Sequence, residues 1–527
     1  MSVDQKVKKA SIAWVTVRKI VQAVSLLAFF VLFILLVKGV QLGNTNQADA
    51  AAFPLRLDPL VVLSQLLASR TFLIGSSAAL IVILLTLLFG RVWCGWLCPL
   101  GTLLDWFPIR RWEGKRARVS DSWRRGKYIL LLTILISALF TNLTLLVFDP
   151  LTILYRTLST AVWPALDQLI TSGEAALFKI SFLGPAVSRF DSGVRRVLLP
   201  TIPVFYRYAW LNALFFLGII GLNGLAPRFW CRYLCPLGGM LGLISKGAVV
   251  KCQIEEASCT SCQLCEPVCP TEAIRGGENS RCDHSECIMC LRCQEECSQG
   301  AVSFPLQPSL SAWHEFDPGR REAVTALGAA LVGLGLFQSA RPAQRPHPQL
   351  IRPPGTLGND FLSQCVRCGE CLAACPTGAI QLSLGESGLE GVWTPILIPR
   401  LGYCDYSCHA CGQACPVEAI PPLSLEEKRE QVIGKAYLDH DRCLAWADNT
   451  DCIVCEEMCP LPEKAITLRE AEFVDEQGSQ RFIQQPYVNR DLCIGCGICE
   501  YQCPVPGEAA IRVYTPDPSR CGSSGYF

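Results

Sequence analysis

Cys259-Thr260-Ser261-Cys262-Gln263-Leu264-Cys265-Glu266-Pro267-Val268-Cys269-Pro270 sets four cysteines in the spacing C-x2-C-x2-C-x3-C-P, and Cys287, Cys290, Cys293 and Cys297 repeat it without the proline. Three closely spaced thiolates can wrap three corners of an iron–sulfur cubane, and a more distant fourth closes it. In paired motifs of this kind the fourth cysteine serves the other motif's cluster. Cys259, Cys262, Cys265 and Cys297 are therefore expected to hold one 4Fe–4S cluster, and Cys287, Cys290, Cys293 and Cys269 a second. Structural zinc needs tetrahedral pairs of C-x2-C units and leaves the three-plus-one spacing unexplained.

Toward the C-terminus the motif recurs as Cys365, Cys368, Cys371 and Cys375-Pro376; as Cys404, Cys408, Cys411 and Cys415-Pro416; as Cys443, Cys452, Cys455 and Cys459-Pro460; and as Cys493, Cys496, Cys499 and Cys503-Pro504. These make four more cubanes, and six in all. With four such motifs, the first is expected to exchange its last ligand with the fourth, and the second with the third. Cys404 and Cys408-His409 are one residue too far apart for haem attachment. Cys252 and Cys282 lie outside the pattern and read as small buried thiols; Cys521 is unassigned. A chain of 527 residues with 31 cysteines in repeated short spacings points to metal, because disulfide scaffolds are short secreted chains.

Toward the N-terminus the composition changes. Ile20–Val37, Thr71–Gly90, Tyr128–Phe148, Ala209–Ala226 and Ala323–Ala340 are free of charge and at least 18 residues long. At ~1.5 Å per residue such a helix reaches ~27 Å, about one hydrocarbon core. The first four are expected to span a membrane; the fifth is weakened by Gly328, Gly333 and Gly335, and a buried or amphipathic helix between domains is its alternative. Lys and Arg gather before the first helix (Lys6, Lys8, Lys9, Arg18, Lys19), in the 91–127 loop, and after the fourth helix (Arg228, Arg232, Lys246, Lys251). By the positive-inside rule these segments are cytoplasmic, and loops 42–70 and 149–208 face outside. Ala48-Asp49-Ala50 follows an apolar run too long for a signal peptide, so the first helix reads as an uncleaved anchor.

This region is duplicated. Asp58-Pro59-Leu60 precedes Trp93-Cys94-Gly95-Trp96-Leu97-Cys98-Pro99-Leu100-Gly101, and Asp149-Pro150-Leu151 precedes Trp230-Cys231-Arg232-Tyr233-Leu234-Cys235-Pro236-Leu237-Gly238. Two spanning helices per copy imply a pseudo-twofold axis along the membrane normal. Asp-Pro suits an N-cap and first helical position. Cys94, Cys98, Cys231 and Cys235 are expected to meet at the cytoplasmic end of that axis as a further iron–sulfur or metal centre; the alternative is a packing or redox-pair motif without cofactor.

The expected fold is an α-helical membrane domain (two duplicated two-helix units plus a fifth spanning helix) with two α+β ferredoxin-like modules. Its parts are a membrane domain at 1–250, a two-cluster module at 251–310, a fifth helix with a Pro-rich linker at 311–358, and a four-cluster module at 359–527. A formal net charge of +1 gives no footprint for nucleic acid. None of the five histidines (284, 314, 347, 409, 440) lies in a spanning stretch, which excludes bis-histidine haem in the membrane. No Gly-rich phosphate loop or Ser/His/Asp arrangement stands out.

The duplicated Trp-Cys-x-x-Leu-Cys-Pro-Leu-Gly unit followed by a two-cluster module resembles the NapH/MauN-type quinol dehydrogenase membrane component. Residues 359–515 resemble the NapG/MauM-type ferredoxin, most specifically in the long gap from Cys443 to Cys452; the three residues between Cys404 and Cys408 depart from it. The resemblance implies a fusion that relays electrons between the quinone/quinol pool and a partner cytochrome or reductase, within a hetero-oligomeric complex of a prokaryotic cytoplasmic membrane. Arg320-Arg321 before the fifth stretch resembles a twin-arginine export segment, which would place the first module in the cytoplasm and the second outside; two surface arginines flanking a helix are the alternative. A competing reading, from similar Cys-x-x-x-Cys-Pro membrane proteins, is a reductase for maturation or repair of a metalloenzyme.

Overall fold

The computed structural model describes residues 3–41, 53–108, 120–195 except 181, 203–275, 281–306, 350–356, 361–474 and 480–516, with single positions at 199 and between 324 and 335. Arg320-Arg321, most of the expected fifth helix and linker, and Cys521 lie outside the described residues. The chain divides into two compact units, each discontinuous in sequence: Met1–Ile34 with Phe53–Tyr155 and Leu211–Leu336, and Leu35–Ala52 with Arg156–Trp210 and Phe337–Phe527.

A 39-residue helix, Val3–Gln41, opens the chain. Its segment Trp14–Lys38 is the one helix among the described residues that is long and apolar enough to cross a membrane. The next three expected spans form shorter helices than their charge-free stretches. Ala79–Phe89, Arg125–Leu139 and Ala209–Leu222 are helices of 11, 15 and 14 residues. Charge-free composition is blind to the breaks. A 3-10 turn, Ile74–Ala78, precedes Ala79–Phe89, and Gly90 ends it at φ 68°. Thr141, at φ 63°, follows Arg125–Leu139, and the chain continues as a second 3-10 turn, Thr144–Phe148. Beyond Ala209–Leu222 the Gly224 N–H turns back onto the Gly221 carbonyl at 2.9 Å.

The two Asp-Pro sites behave as the sequence suggests. Asp58 Oδ1 accepts from the N–H groups of Leu60 (2.8 Å) and Val61 (3.3 Å) at the start of Pro59–Ser69. Asp149 Oδ2 accepts from Leu151 and Thr152, both at 3.0 Å, at the start of Pro150–Thr157. Within the same unit, the Arg228 guanidinium forks onto Asp105 with two 2.8 Å bonds, and Arg18 adds a third. The three side chains are 1%, 7% and 1% exposed. Burial works against the Asp105 charge, but Arg228 and Arg18 hold its carboxyl well below the usual carboxylate range. Asp105→Asn leaves two buried cations without their counter-charge and is expected to cost about 3–5 kcal/mol, read as a lowered thermal unfolding midpoint in detergent.

Residues 252–304 form a small α+β ferredoxin-like module in this first unit. Gln253–Ile254 pairs antiparallel with Val302–Ser303, and Ile274–Arg275 with Arg281–Cys282. The helices Cys265–Val268 and Arg292–Glu296 each lie inside a cysteine motif. Cys252, Ile274, Cys293 and Val302 share one core, so thiols do part of the work of a hydrophobic centre too small to form alone.

In the second unit the C-terminal module repeats this plan with longer strands. Ile511–Tyr514 pairs with Lys435–Leu438, Ile380–Leu382 with Pro395–Leu397, and Ile466–Val474 with Gln480–Val488, all antiparallel. Short helices at Glu370–Ala374, Ala410–Gln413, Val454–Glu457 and Ile498–Gln502 again sit in the motifs. Residues 156–210 pack against this module. The Tyr206 hydroxyl donates to the Leu372 carbonyl (2.9 Å), Gln381 Nε2 donates to that of Phe205 (2.9 Å), and Arg156 lies 4.9 Å over the Trp393 ring. Leu36 is buried among Ala374, Ala410 and Ala414.

Candidate iron–sulfur centres

Three cages in the C-terminal module are lined by four thiols each. Cys365, Cys368 and Cys371 are closed by Cys415; Cys443, Cys452 and Cys455 by Cys503; Cys493, Cys496 and Cys499 by Cys459. Cys411 has Cys404, Cys375 and Cys408 as neighbours, which completes the fourth set. The last ligand is thus exchanged between motifs one and two and between motifs three and four. This corrects the expected exchange of one with four and two with three. The reason is local: strands and helices pair each motif with its sequence neighbour, as in a two-cluster ferredoxin. The pairs join where the Cys404 N–H donates to the Cys496 carbonyl at 2.8 Å. Arg400 staples the same seam through the carbonyls of Glu500, Cys503, Val505 and Gly507. The four sets follow in the order 365, 404, 493, 443, by first cysteine.

In the N-terminal module Cys265 neighbours Cys293, Cys297 and Cys262, and Cys290 neighbours Cys269 and Cys287, so the thiols of the two motifs interleave. Cys252 and Cys282 pack in the module's core, as small buried thiols would, with Cys287 as a neighbour of both and Cys293 of Cys252. Among the described residues no three His, Cys, Asp or Glu side chains converge tightly enough for a single ion; a cubane is a wider guest.

The duplicated motifs build a further site in the first unit. Trp93–Leu97 and Trp230–Leu234 are each one π-turn, closed by the N–H of Cys98 on Trp93 and of Cys235 on Trp230, both at 2.8 Å. Such bulges turn side chains off the helical path and are frequent at functional sites. Pro99 and Pro236 then start new helices, with Cys98 and Cys235 at their caps. All four thiols are buried, and Cys98 and Cys235 each have Cys94 and Cys231 as neighbours. Burial pushes the Cys231 thiol up to about 11 and raises Cys98 and Cys235 as well. Four thiolates there need compensating positive charge.

Two arginines that the sequence marked only as positive-inside charges supply part of it. Arg91 and Arg228 each lie three residues before the first cysteine of their repeat, and each crosses to the other copy. Arg228 Nη1 donates to the Cys94 carbonyl at 2.8 Å, and a Cβ on Gly101 would meet the same nitrogen at 3.4 Å. A Cβ on Gly238 would lie 2.9 Å from Arg91 Nη2. Gly238 therefore makes room for the opposite arginine, whereas at Gly101 the tighter neighbour is the Cys94 carbonyl at 2.8 Å. The repeated Arg-x-Trp-Cys could have revealed the pair.

The N-terminal module seats its second motif on this site. Arg91 Nη1 binds the Ser285 carbonyl (2.9 Å) and Glu286 (3.2 Å), Lys127 binds Glu286, and Trp96 Nε1 donates to Met289 O (2.9 Å). A Cβ on Gly95 would come 2.0 Å from the Ile288 carbonyl. Gly95→Ala is expected to lower stability by about 1–3 kcal/mol or more through this overlap. Gly173→Ala, with nothing within 4 Å, is the control in the same unfolding assay.

A 4Fe-4S binding domain family matches residues 71–116 and 208–251, the segments that carry Cys94, Cys98, Cys231 and Cys235. A second 4Fe-4S binding domain family matches 253–275, 361–381 and 486–506. The methylamine utilization ferredoxin-type protein MauM of Methylorubrum extorquens is 38% identical over 206 residues, 37% of this chain and 89% of that protein. MauM of Paracoccus denitrificans is 37% identical, with 85% of its length covered. The ferredoxin-type protein NapG of Haemophilus influenzae is 36% identical over 198 residues, with 68% of its length covered. No solved structure matches the chain. With its cubane-sized thiol cages and these relatives matched over most of their length, the chain belongs to the MauM/NapG-type ferredoxin family of iron–sulfur electron-transfer proteins.

Proposed function

We propose that the chain is a multi-pass membrane subunit that oxidises quinol and passes the electrons to a partner redox enzyme, a NapH/MauN-type membrane component fused to a MauM/NapG-type polyferredoxin. Six clusters are held by the crossed cysteine sets above, and a seventh by Cys94, Cys98, Cys231 and Cys235. The contact that carries this reading is the seating of Ser285–Cys290 on Gly95 and Arg91. That contact brings the second motif of the N-terminal module against the first Cys-x-x-x-Cys-Pro turn, an arrangement that suits electron transfer and has no purpose in a scaffold.

Exposed apolar stripes support the membrane reading. Ile20, Val24 and Leu27 are 57–64% exposed, Leu80 and Leu84 63% and 58%, and Leu214 and Leu217 60% and 62%. Such stripes at helical spacing on three helices suit lipid. Ile74–Phe89, short in residues, still rises about 26 Å because part of it is 3-10. The N-terminal module binds the Lys- and Arg-rich segments assigned to the cytoplasm, and the C-terminal module packs against residues 156–210, assigned to the outside. The proposal therefore puts the C-terminal module on the exoplasmic face. Protease added to right-side-out spheroplasts is expected to cut the 341–358 linker and spare residues 252–304. Anaerobic analysis is expected to give about 28 irons per chain, and quinol-analogue turnover separates this role from enzyme maturation. A protected linker, or a count near eight irons, overturns the reading.

A further inference from the structure

Asp58 and Asp149 do more than cap two helices. Capping uses one oxygen of each carboxyl. The other two, Asp58 Oδ2 and Asp149 Oδ1, have no donor, although both residues are 0% exposed. The two carboxyl groups lie within hydrogen-bonding reach of each other, and the strongest ionisable influence on each is the other. As two carboxylates they would only repel in a dry site; as one acid and one carboxylate they bond through a shared proton.

Among the described residues no cation donates to either of these two oxygens. Pro59–Ser69 packs against Phe53–Arg56, Ala79–Phe89, Arg125–Leu139 and Pro236–Ser245. Of the charges on these elements, Lys127 is bound to Glu286 and the Arg56 side chain lies against Gly75. Arg156, at the far end of the Asp149 helix, covers the Trp393 ring. One ring contact leads from the pair toward the four cysteines. Phe148, next to Asp149, stacks on Trp230, next to Cys231, with ring centres 6.5 Å apart.

We propose that Asp58 and Asp149 form the proton-accepting carboxyl pair of quinol oxidation, holding one proton between them at rest and taking a second as quinol is oxidised. The inference rests on the quinol reading above. One quinol yields one quinone, two electrons and two protons. The electrons reduce two clusters by one each; one proton neutralises the pair, and the other leaves to solvent. The helix N-terminus at each carboxyl steadies the remaining charge until that second proton arrives.

Redox-difference infrared spectroscopy on the full chain in detergent tests this, with reduction by a quinol analogue in one run and by dithionite in another. Wild type is expected to show a carboxylic C=O band that grows on reduction and shifts down in D2O. Asp58→Asn and Asp149→Asn, which keep a capping side chain, are each expected to abolish that band at unchanged iron content. Quinol-driven cluster reduction should fall on the order of 100-fold in both, and dithionite reduction should stay intact. The proposal is overturned by a wild type without the band, by a band that survives both substitutions, or by full-speed quinol reduction in both variants. A wild type that shows the band with dithionite but accepts no electrons from quinol keeps the shared proton and removes the quinol reading alone.

Discussion

Serine at Cys94 and serine at Cys231 are expected to remove the same iron centre. The two cysteines are 137 positions apart in a duplicated sequence, yet each lies among the other's thiols. Each repeat's arginine reaches the other's Cys-Pro-Leu-Gly, so neither copy can assemble its half of the site alone. Each variant should lose about four irons per chain, with one paramagnetic signal missing from both. Quinol-driven reduction of the remaining clusters should stop, because the site stands between the membrane helices and the cluster at Cys290. Dithionite, which needs no such entry point, should still reduce the other six. Two different lost signals, or a disulfide found within each Cys-x-x-x-Cys pair, would break the shared site into two.

The ferredoxin-type cysteine motifs were readable because cubane ligation imposes a strict local spacing on the chain. The pairing of the four C-terminal motifs was not, since it depends on which strands meet. Ile380–Leu382 with Pro395–Leu397 and Lys435–Leu438 with Ile511–Tyr514 decide it, and such two- to four-residue ladders leave little trace in composition. Helix lengths were overread for a similar reason. An unbroken apolar stretch fixes where a chain is comfortable, whereas Gly90, Thr141 and the Gly221–Gly224 turn fix where the helix stops. Asp58 and Asp149 were read correctly as caps. That they face each other followed only from folding the two repeats together.

Cys415→Ser is expected to damage the cluster of Cys365, Cys368 and Cys371 and to spare that of Cys404, Cys408 and Cys411. Cys503→Ser should act on Cys443, Cys452 and Cys455. An exchange of the first motif with the fourth would instead make Cys503 the ligand that Cys365 needs. Electron paramagnetic resonance separates the two, since a lost corner leaves a three-iron signal or an empty site. The order of the sets adds a functional consequence. The thiols of Cys404, Cys408, Cys411 and Cys375 lie between the Cys365 set and the Cys496 seam. Cys411→Ser should therefore stop electrons passing from the Cys365 end to the Cys443 end. Both end clusters should remain reducible by dithionite. Through-transfer at an unchanged rate would mean that electrons enter beyond the Cys404–Cys496 seam, and that the first pair of clusters serves another route.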